Sequence, residues 1–246
     1  MTLRIAYVTS GMGSLGTAIC QKLAHSGHTV VVGCGPDSPR KAGWLREQRA
    51  LGFDFIVSEG NAADWDSTVA AFDQVRSEVG EIDVLVNNAG AMLDMRFRQM
   101  SHADWSAVLR SNLDTLFNST KQVVDGMAER GWGRIINIGS VAAEKGQIGQ
   151  INYATAKGAV IGFTRSLAQE VAARGVTVNL VSPGFIADDT VKAFPPALLD
   201  RIIESVPVGR LGTAKDLAGL CAWLASDEAA FVTGANYAIN GGVYMS

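Results

Sequence analysis

RIAYVTSGMGSLGTAICQKLAHSG, residues 4–27, decides how the rest of the chain is read. A short β-branched run leads into a glycine turn and then into apolar residues at helical spacing, which predicts a strand–turn–helix unit. Within it Gly11, Gly13 and Gly16 fit GxGxxG at the strand-to-helix junction. Glycine lets the backbone turn sharply and come close to a pyrophosphate, while the helix start offers free N–H groups and the positive end of a dipole. Gly11, Met12, Gly13, Leu15 and Gly16 are therefore the candidate phosphate-binding residues. A turn kept only for packing is the bland alternative, and the context that follows weighs against it.

Outward from this unit the same alternation recurs. RIAYVT, TVVVG, FDFIVS, IDVLVN, GRIINIG, VTVNLV and ANYAIN read as strands, separated by helical patterns at about 13–26, 40–51, 64–79, 101–129, 151–173 and 213–225, with a looser piece at about 190–205. Strands and helices in alternation predict an α/β fold, a doubly wound parallel sheet of Rossmann-like type with about seven strands. No linker or repeat divides residues 1–246, so one domain is expected.

Hydrophobic residues at 48% and charged residues at 18% describe a globular chain with a sizeable core. The net charge of −3 gives no global attraction to nucleic acid or an anionic membrane, so a phosphate-bearing ligand must be held by local groups. Cys20, Cys34, Cys221, His25, His28 and His102 are scattered and form no metal or disulfide pattern. The opening residues do not read as a secretory signal and no apolar run reaches spanning length, so a cytoplasmic location is expected. On that ground Asn118-Ser119-Thr120 is read as part of a helix, not as a glycosylation acceptor.

The second strand ends in VVVGCGPDSPRK, at the place where a doubly wound fold meets the adenosine ribose. Gly35, Ser38, Arg40 and Lys41 favour a 2′-phosphate and hence NADP(H); Asp37 argues the other way unless it is a turn residue. Gly60, Asn61 and Ala62 follow the third strand, where an adenine could be flanked. VNNAG brings Asn87, Asn88, Ala89 and Gly90 to the carboxyl end of the sheet, with Asn88 either a ligand contact or a tie between strands. Pro183 and Gly184 break the chain after the sixth strand, where a bare turn or the start of a lid over the nicotinamide is expected, and with Ile186 they are cofactor-binding candidates.

The chemistry is carried by GSVAAEKGQIGQINYATAK, residues 139–157. Tyr153 and Lys157 are four apart in a helical pattern and should project from one face. A neighbouring cation favours phenolate, so Lys157 is expected to lower the Tyr153 pKa towards the range of a general acid. Ser140 closes a strand and can hydrogen-bond the same substrate oxygen. YxxxK also occurs by chance on solvated helix faces; Ser140, Asn112 and the glycine turn supply the company that argues otherwise.

Together the glycine turn at 9–16, NNAG at 87–90, Asn112, Ser140, Tyr153, Lys157 and the PG turn at 183–184 resemble the short-chain dehydrogenase/reductase family, from the first strand to NGGVYMS. The resemblance implies an oxidoreductase that moves a hydride between nicotinamide and a carbonyl or alcohol. Tyr153 would protonate the carbonyl oxygen, Ser140 would hold it, Lys157 would bind the nicotinamide ribose, and Asn112 would anchor a water in the proton relay. It also implies a homotetramer joined through the helices near 101–129 and 151–173.

Within the family CGPDSPR, LGFDFIVSEGNAADWDST, GMAERGWGRIINI, EKGQIGQINYATAKG and CAWLAS resemble the NADPH-dependent acetoacetyl-CoA reductases of polyhydroxyalkanoate synthesis. That likeness implies an acyl-CoA substrate, an (R)-3-hydroxyacyl-CoA product and a substrate pocket at Asp94, Gln147, Ile148, Gln150 and Phe185, positions that loop packing could equally occupy. Two other readings stay open. Arg96, Arg98, Arg130 and Arg134 would favour an acyl-carrier-protein substrate if they shared a surface. A weakly catalytic nicotinamide-binding sensor is suggested by the departures from the family pattern. Ser10 and Ser14 replace glycines and Asp188 stands where threonine is usual; Leu93, where related reductases have arginine, bears instead on the substrate and its grip. A serine forced to positive φ would carry about 1–3 kcal/mol of strain.

Overall fold

The computed structural model describes residues 4–188, 191 and 193–245, and the seven expected strands are all present. They are β1 (Ile5–Val8), β2 (Thr29–Cys34), β3 (Ile56–Glu59), β4 (Val84–Asn87), β5 (Gly133–Ile138), β6 (Val176–Pro183) and β7 (Asn236–Ile239). All pair in parallel, in the order β3-β2-β1-β4-β5-β6-β7. Every residue of β4, β5 and β6 is buried, as central strands covered on both faces must be.

Side chains along a strand alternate between faces, and two cores result. Val30 and Val32, Val84 and Val86, and Ile136 and Ile138 pack on one face with Ile19, Leu23, Leu217 and Leu224. Val31, Leu85 and Ile135 turn to the other face, against Phe72, Val75, Met127 and Val171. The covering helices are α1 (Ser14–His25), α2 (Lys41–Ala50), α3 (Trp65–Glu78), α4 (His102–Leu109), α5 (Thr115–Lys121), α6 (Val124–Arg130), α7 (Ala142–Lys145), α8 (Ile151–Val171), α9 (Pro196–Glu204) and α10 (Ala214–Leu224). The looser helix read at 190–205 corresponds to α9; residues 189, 190 and 192 lie outside the described part.

The long helix expected over 101–129 is broken. A π turn at Arg110–Asp114 separates α4 from α5, and a non-helical step at 122–123 separates α5 from α6. One extra residue in a helical turn re-aims the side chains around it, and such bulges gather at functional sites. Here the turn contains Asn112.

A buried polar ladder fixes the sheet to the helices on the face covered by α5 and α8. Asn87 Nδ2 donates to Thr120 Oγ1 at 3.0 Å and to Asn137 Oδ1 at 2.9 Å, and Asn137 Nδ2 donates to Thr164 Oγ1 at 2.9 Å. The ladder ties α5, β4, β5 and α8 together. Thr164 lies seven residues beyond Lys157, two turns along the same face of α8. Asn87, read as a ligand-facing residue at the end of the sheet, instead turns its amide inward.

Candidate active site

The strand order reverses between β2 and β4 on either side of β1, and the glycine turn rises from that point. Asp64 caps α3, and reciprocal boxes of Ser101 with Asp104 and Thr213 with Asp216 cap α4 and α10. The start of α1, like those of α2, α5, α8 and α9, has neither a side-chain cap nor an acidic residue in its first turn, and it is the one at the switch point. Its leading N–H groups are left for an anion, as the GxGxxG reading requires. A Cβ on Gly16 would lie 2.5 Å from Ser10 O and 2.7 Å from Gly11 Cα, so the turn closes this tightly only with glycine there. Ser10 has φ +51°, which realises the strain anticipated for it, whereas Ser14 simply opens α1.

Asn88 resolves as the tie. Its Nδ2 donates to Thr9 O at 3.1 Å and Ser10 O at 3.2 Å, holding the turn to the end of β4. Thr9 answers from the other side: its Oγ1 accepts the N–H groups of Asn88 and Ala89, each at 2.9 Å. Thr9 had no distinguishing signal in the sequence, because one threonine at a strand end is commonplace. Met12 is buried in the core, and it is its carbonyl, not its side chain, that takes part in the site, accepting from Arg40 Nη2 at 3.3 Å.

Two cavities open along the carboxyl edge of the sheet. The first, of ≈ 290 Å³, is lined by Gly35, Gly60, Asn61 and Ala62, expected near the adenosine half, and by Ala89 and Gly90 at the end of β4. Ser38 and Arg40 stand beyond its lining. Asp37 is the turn residue it was suspected to be, with φ +51°. Lys41, counted among the cations for a 2′-phosphate, is paired with Glu59, whose carboxylate also accepts the Asp37 N–H at 3.0 Å.

The second cavity, of ≈ 420 Å³, is lined by Ser140 and Tyr153 together with Asp94, Gln147, Gln150 and Phe185. Leu15, Pro183, Gly184, Ile186 and Asp188 border it as well. Gln150 Nε2 donates to Asp94 Oδ2 at 2.8 Å, fastening the loop after β4 to the start of α8. Ile148 does not join them: it is 80% exposed and outside the lining, because Gly146 and Gly149 on either side turn it out to solvent with positive φ. An apolar wall that was not anticipated closes the far side, formed by Val191, Phe194, Leu198 and Ile202. The i, i+4, i+8 spacing of Phe194, Leu198 and Ile202 was the available signal.

Behind Tyr153, Lys157 is buried and donates from Nζ to Ile138 O at 2.8 Å. Its Nζ stands 5.7 Å from the centroid of the Tyr153 ring. Asn112 is held by its Nδ2, which donates to Ala91 O and Val108 O at 2.9 Å each, while its buried Oδ1 has no partner among the described residues. A Cβ on Gly90 would lie 2.4 Å from that Oδ1 and 3.4 Å from Lys157 Nζ, so both groups converge on the same bare glycine.

The electrostatics differ from expectation. Burial pushes the Tyr153 phenol up to about 12, hydrogen bonding by Ser140 draws it back, and the Asp94 carboxylate raises it further. Burial also lowers the Lys157 ammonium to about 8. Burial of the phenol is the largest influence on it here, and Lys157, 5.7 Å from its ring, is not among the groups that shift it. What the pocket secures is a protonated phenol beside a hydroxyl, facing a cavity.

A parallel sheet with an uncapped helix at its switch point, and a Ser–Tyr–Lys group at its carboxyl edge, defines a dinucleotide-binding oxidoreductase. The family model described as Enoyl-(Acyl carrier protein) reductase matches residues 11–244. The chain is 63% identical over 245 residues to the acetoacetyl-CoA reductase of Cupriavidus necator, covering 100% of both chains. It is 49% identical over 243 residues to nodulation protein G of Azospirillum brasilense, covering 99% of each, and 40% identical over 247 residues to the 3-oxoacyl-[acyl-carrier-protein] reductase FabG of Escherichia coli, covering 98% of each. This chain belongs to the short-chain dehydrogenase/reductase family, whose reductases use a nicotinamide cofactor.

Proposed function

We propose that this protein reduces the 3-oxo group of a short acyl-CoA, acetoacetyl-CoA foremost, to the (R)-3-hydroxyacyl-CoA, with NADPH as reductant. The observation that carries this reading is the 63% identity along the full length to an acetoacetyl-CoA reductase, joined to Ser140 and Tyr153 facing one cavity. Polyhydroxyalkanoate synthesis in the cytoplasm, by a homotetramer, is the setting that accompanies it. Among the described residues no helix is long and apolar enough to cross a membrane.

The site's own features fit the cofactor. The uncapped start of α1 and Gly13 suit a pyrophosphate, the glycine-lined cavity suits adenosine, and the unpartnered Asn112 Oδ1 beside Lys157 suits ribose hydroxyls or a water. When bound, the reduced nicotinamide supplies the hydride. The residues of the chain do the rest. Ser140 donates a hydrogen bond to the substrate oxygen and holds it against Tyr153. Tyr153 Oη gives that oxygen its proton as negative charge develops there. Lys157 uses one N–H on Ile138 O and keeps its remaining donors and its charge for the ribose and the tyrosinate left after transfer. Phe194, Leu198 and Ile202 exclude water from the acyl side.

The acyl-carrier-protein alternative rests on the more distant relatives such as that of Escherichia coli. Of the four arginines invoked for it, Arg96 and Arg98 are exposed around the short turn Phe97–Gln99, and the other two lie elsewhere. Arg134 is buried, and Arg130 pairs with Glu81 and Asp83 at the amino-terminal edge of the sheet, opposite the catalytic cavity. Purified protein should oxidise NADPH with acetoacetyl-CoA faster than with the acetoacetyl group on a carrier protein, and NADH should serve less well. Faster turnover on the carrier-bound thioester would select the alternative.

A further inference from the structure

An NAD site in a doubly wound fold takes both ribose hydroxyls on an acid at the end of its second strand. In this chain that strand ends in Cys34, and directly across the ladder from it stands Glu59, the last residue of β3. An acid therefore stands on the neighbouring strand, just outside the lining of the first cavity and against the turn read as the ribose end of the site. It is not idle there. One of its oxygens is paired with Lys41, and the other accepts the backbone N–H of Asp37 at 3.0 Å. The same carboxylate thus grips the first residue of α2 and the left-handed residue of the turn that carries Gly35, Ser38 and Arg40.

We propose that Glu59 is a cofactor-discriminating residue: its carboxylate, by holding Lys41 and the Asp37 N–H, limits how strongly the adenosine end of the site grips a 2′-phosphate. The inference rests on the reading of that end as an NADP(H) site. The pair is only partly exposed, at 37% for Lys41 and 33% for Glu59, and their hydrogen bond keeps the lysine more basic and the glutamate more acidic than usual. Both are charged throughout the neutral range. A 2′-phosphate carrying about two negative charges near neutrality meets Arg40 as a cation not paired with any carboxylate among the described residues, and meets Lys41 already balanced by Glu59. Glu59 also repels the phosphate directly. Such a residue weakens NADP(H) and leaves a cofactor without the phosphate untouched, so it sets cofactor release as well as choice.

The test uses two ligands that differ only in the 2′-phosphate, 2′,5′-ADP and 5′-ADP, titrated calorimetrically at low salt into wild type, Glu59→Gln, Lys41→Met and the double variant. Glutamine retains an oxygen for the Asp37 N–H, so the turn keeps its shape. Glu59→Gln should tighten 2′,5′-ADP by about threefold to tenfold, as expected for removing one charge at a screened, partly exposed distance. It should leave 5′-ADP within about twofold. The gain should shrink in the Lys41→Met background and fade as salt is raised. An unchanged ratio of the two affinities, or equal weakening of both ligands, would overturn the proposal and leave Glu59 as a brace for the turn. Equal binding of the two ligands by wild type would instead overturn the NADP(H) reading beneath it.

Discussion

Lys157 Nζ donates to the carbonyl oxygen of Ile138 at 2.8 Å, so the last peptide of β5 fixes a buried ammonium behind the Tyr153 phenol. Burial is the cause of its lowered pKa, about 8, and the sign of the consequence follows. Below that value the group is charged and can support the ribose and a tyrosinate; above it the charge is lost. Tyr153, at about 12, stays protonated across the same range. The rate of carbonyl reduction should therefore fall as pH rises past about 8, with Lys157 setting the limb. A profile of kcat/KM against pH that stays level to pH 10 would remove Lys157 from that role.

Tyr153→Phe removes the proton donor while leaving the ring that packs beside Lys157. Turnover should drop by about 100- to 10,000-fold, the usual contribution of a positioned general acid. Cofactor affinity, measured by fluorescence titration, should change little. Full activity in this variant would contradict the assignment of the acid.

Gly90→Ala places a methyl 2.4 Å from Asn112 Oδ1 and 3.4 Å from Lys157 Nζ. Asn112 must give way, 3.4 Å being ordinary contact for Lys157, and small displacements of positioning groups cost about 100-fold. Steady-state kinetics should show that loss, with circular dichroism unchanged. Wild-type rates would mean that the convergence on Gly90 has no catalytic meaning.

Ser10→Gly relieves a serine held at φ +51°. Strain of about 1–3 kcal/mol is recovered, less about 0.4–1 kcal/mol for the freer unfolded chain. A net gain of about 1 kcal/mol corresponds to a Tm rise of about 2–4 °C for a chain of this size. A fall in Tm would show that the serine makes a compensating interaction.

Asp188→Thr tests the acid that stands where threonine is usual. Asp188 Oδ1 accepts the Val191 N–H at 2.8 Å and borders the cavity that Ser140 and Tyr153 line. Threonine keeps an acceptor for that N–H and removes a charge that opposes the pyrophosphate. The dissociation constant for NADPH should fall by about twofold to fivefold at low salt. An unchanged constant would mean that the carboxylate acts only within its own loop.

The repeated strand and helix patterns, the glycine turn and the four-residue spacing of Tyr153 and Lys157 were legible in the chain because each depends on local periodicity or on backbone freedom. Those features determined the parallel sheet, its switch point and the pairing of phenol and ammonium on one helix. The π turn at Asn112 was not legible, since a single extra residue in a helix leaves no periodic trace over so short a span. Nor was the engagement of Lys41 by Glu59, whose partners are 18 residues apart and meet only because β2 and β3 pair. The inward turn of Asn87, the outward turn of Ile148 and the raised Tyr153 pKa belong to the same group. Contact across strands and exclusion of water are properties of the assembled sheet, so tertiary structure alone decided which charges are free and which are already answered.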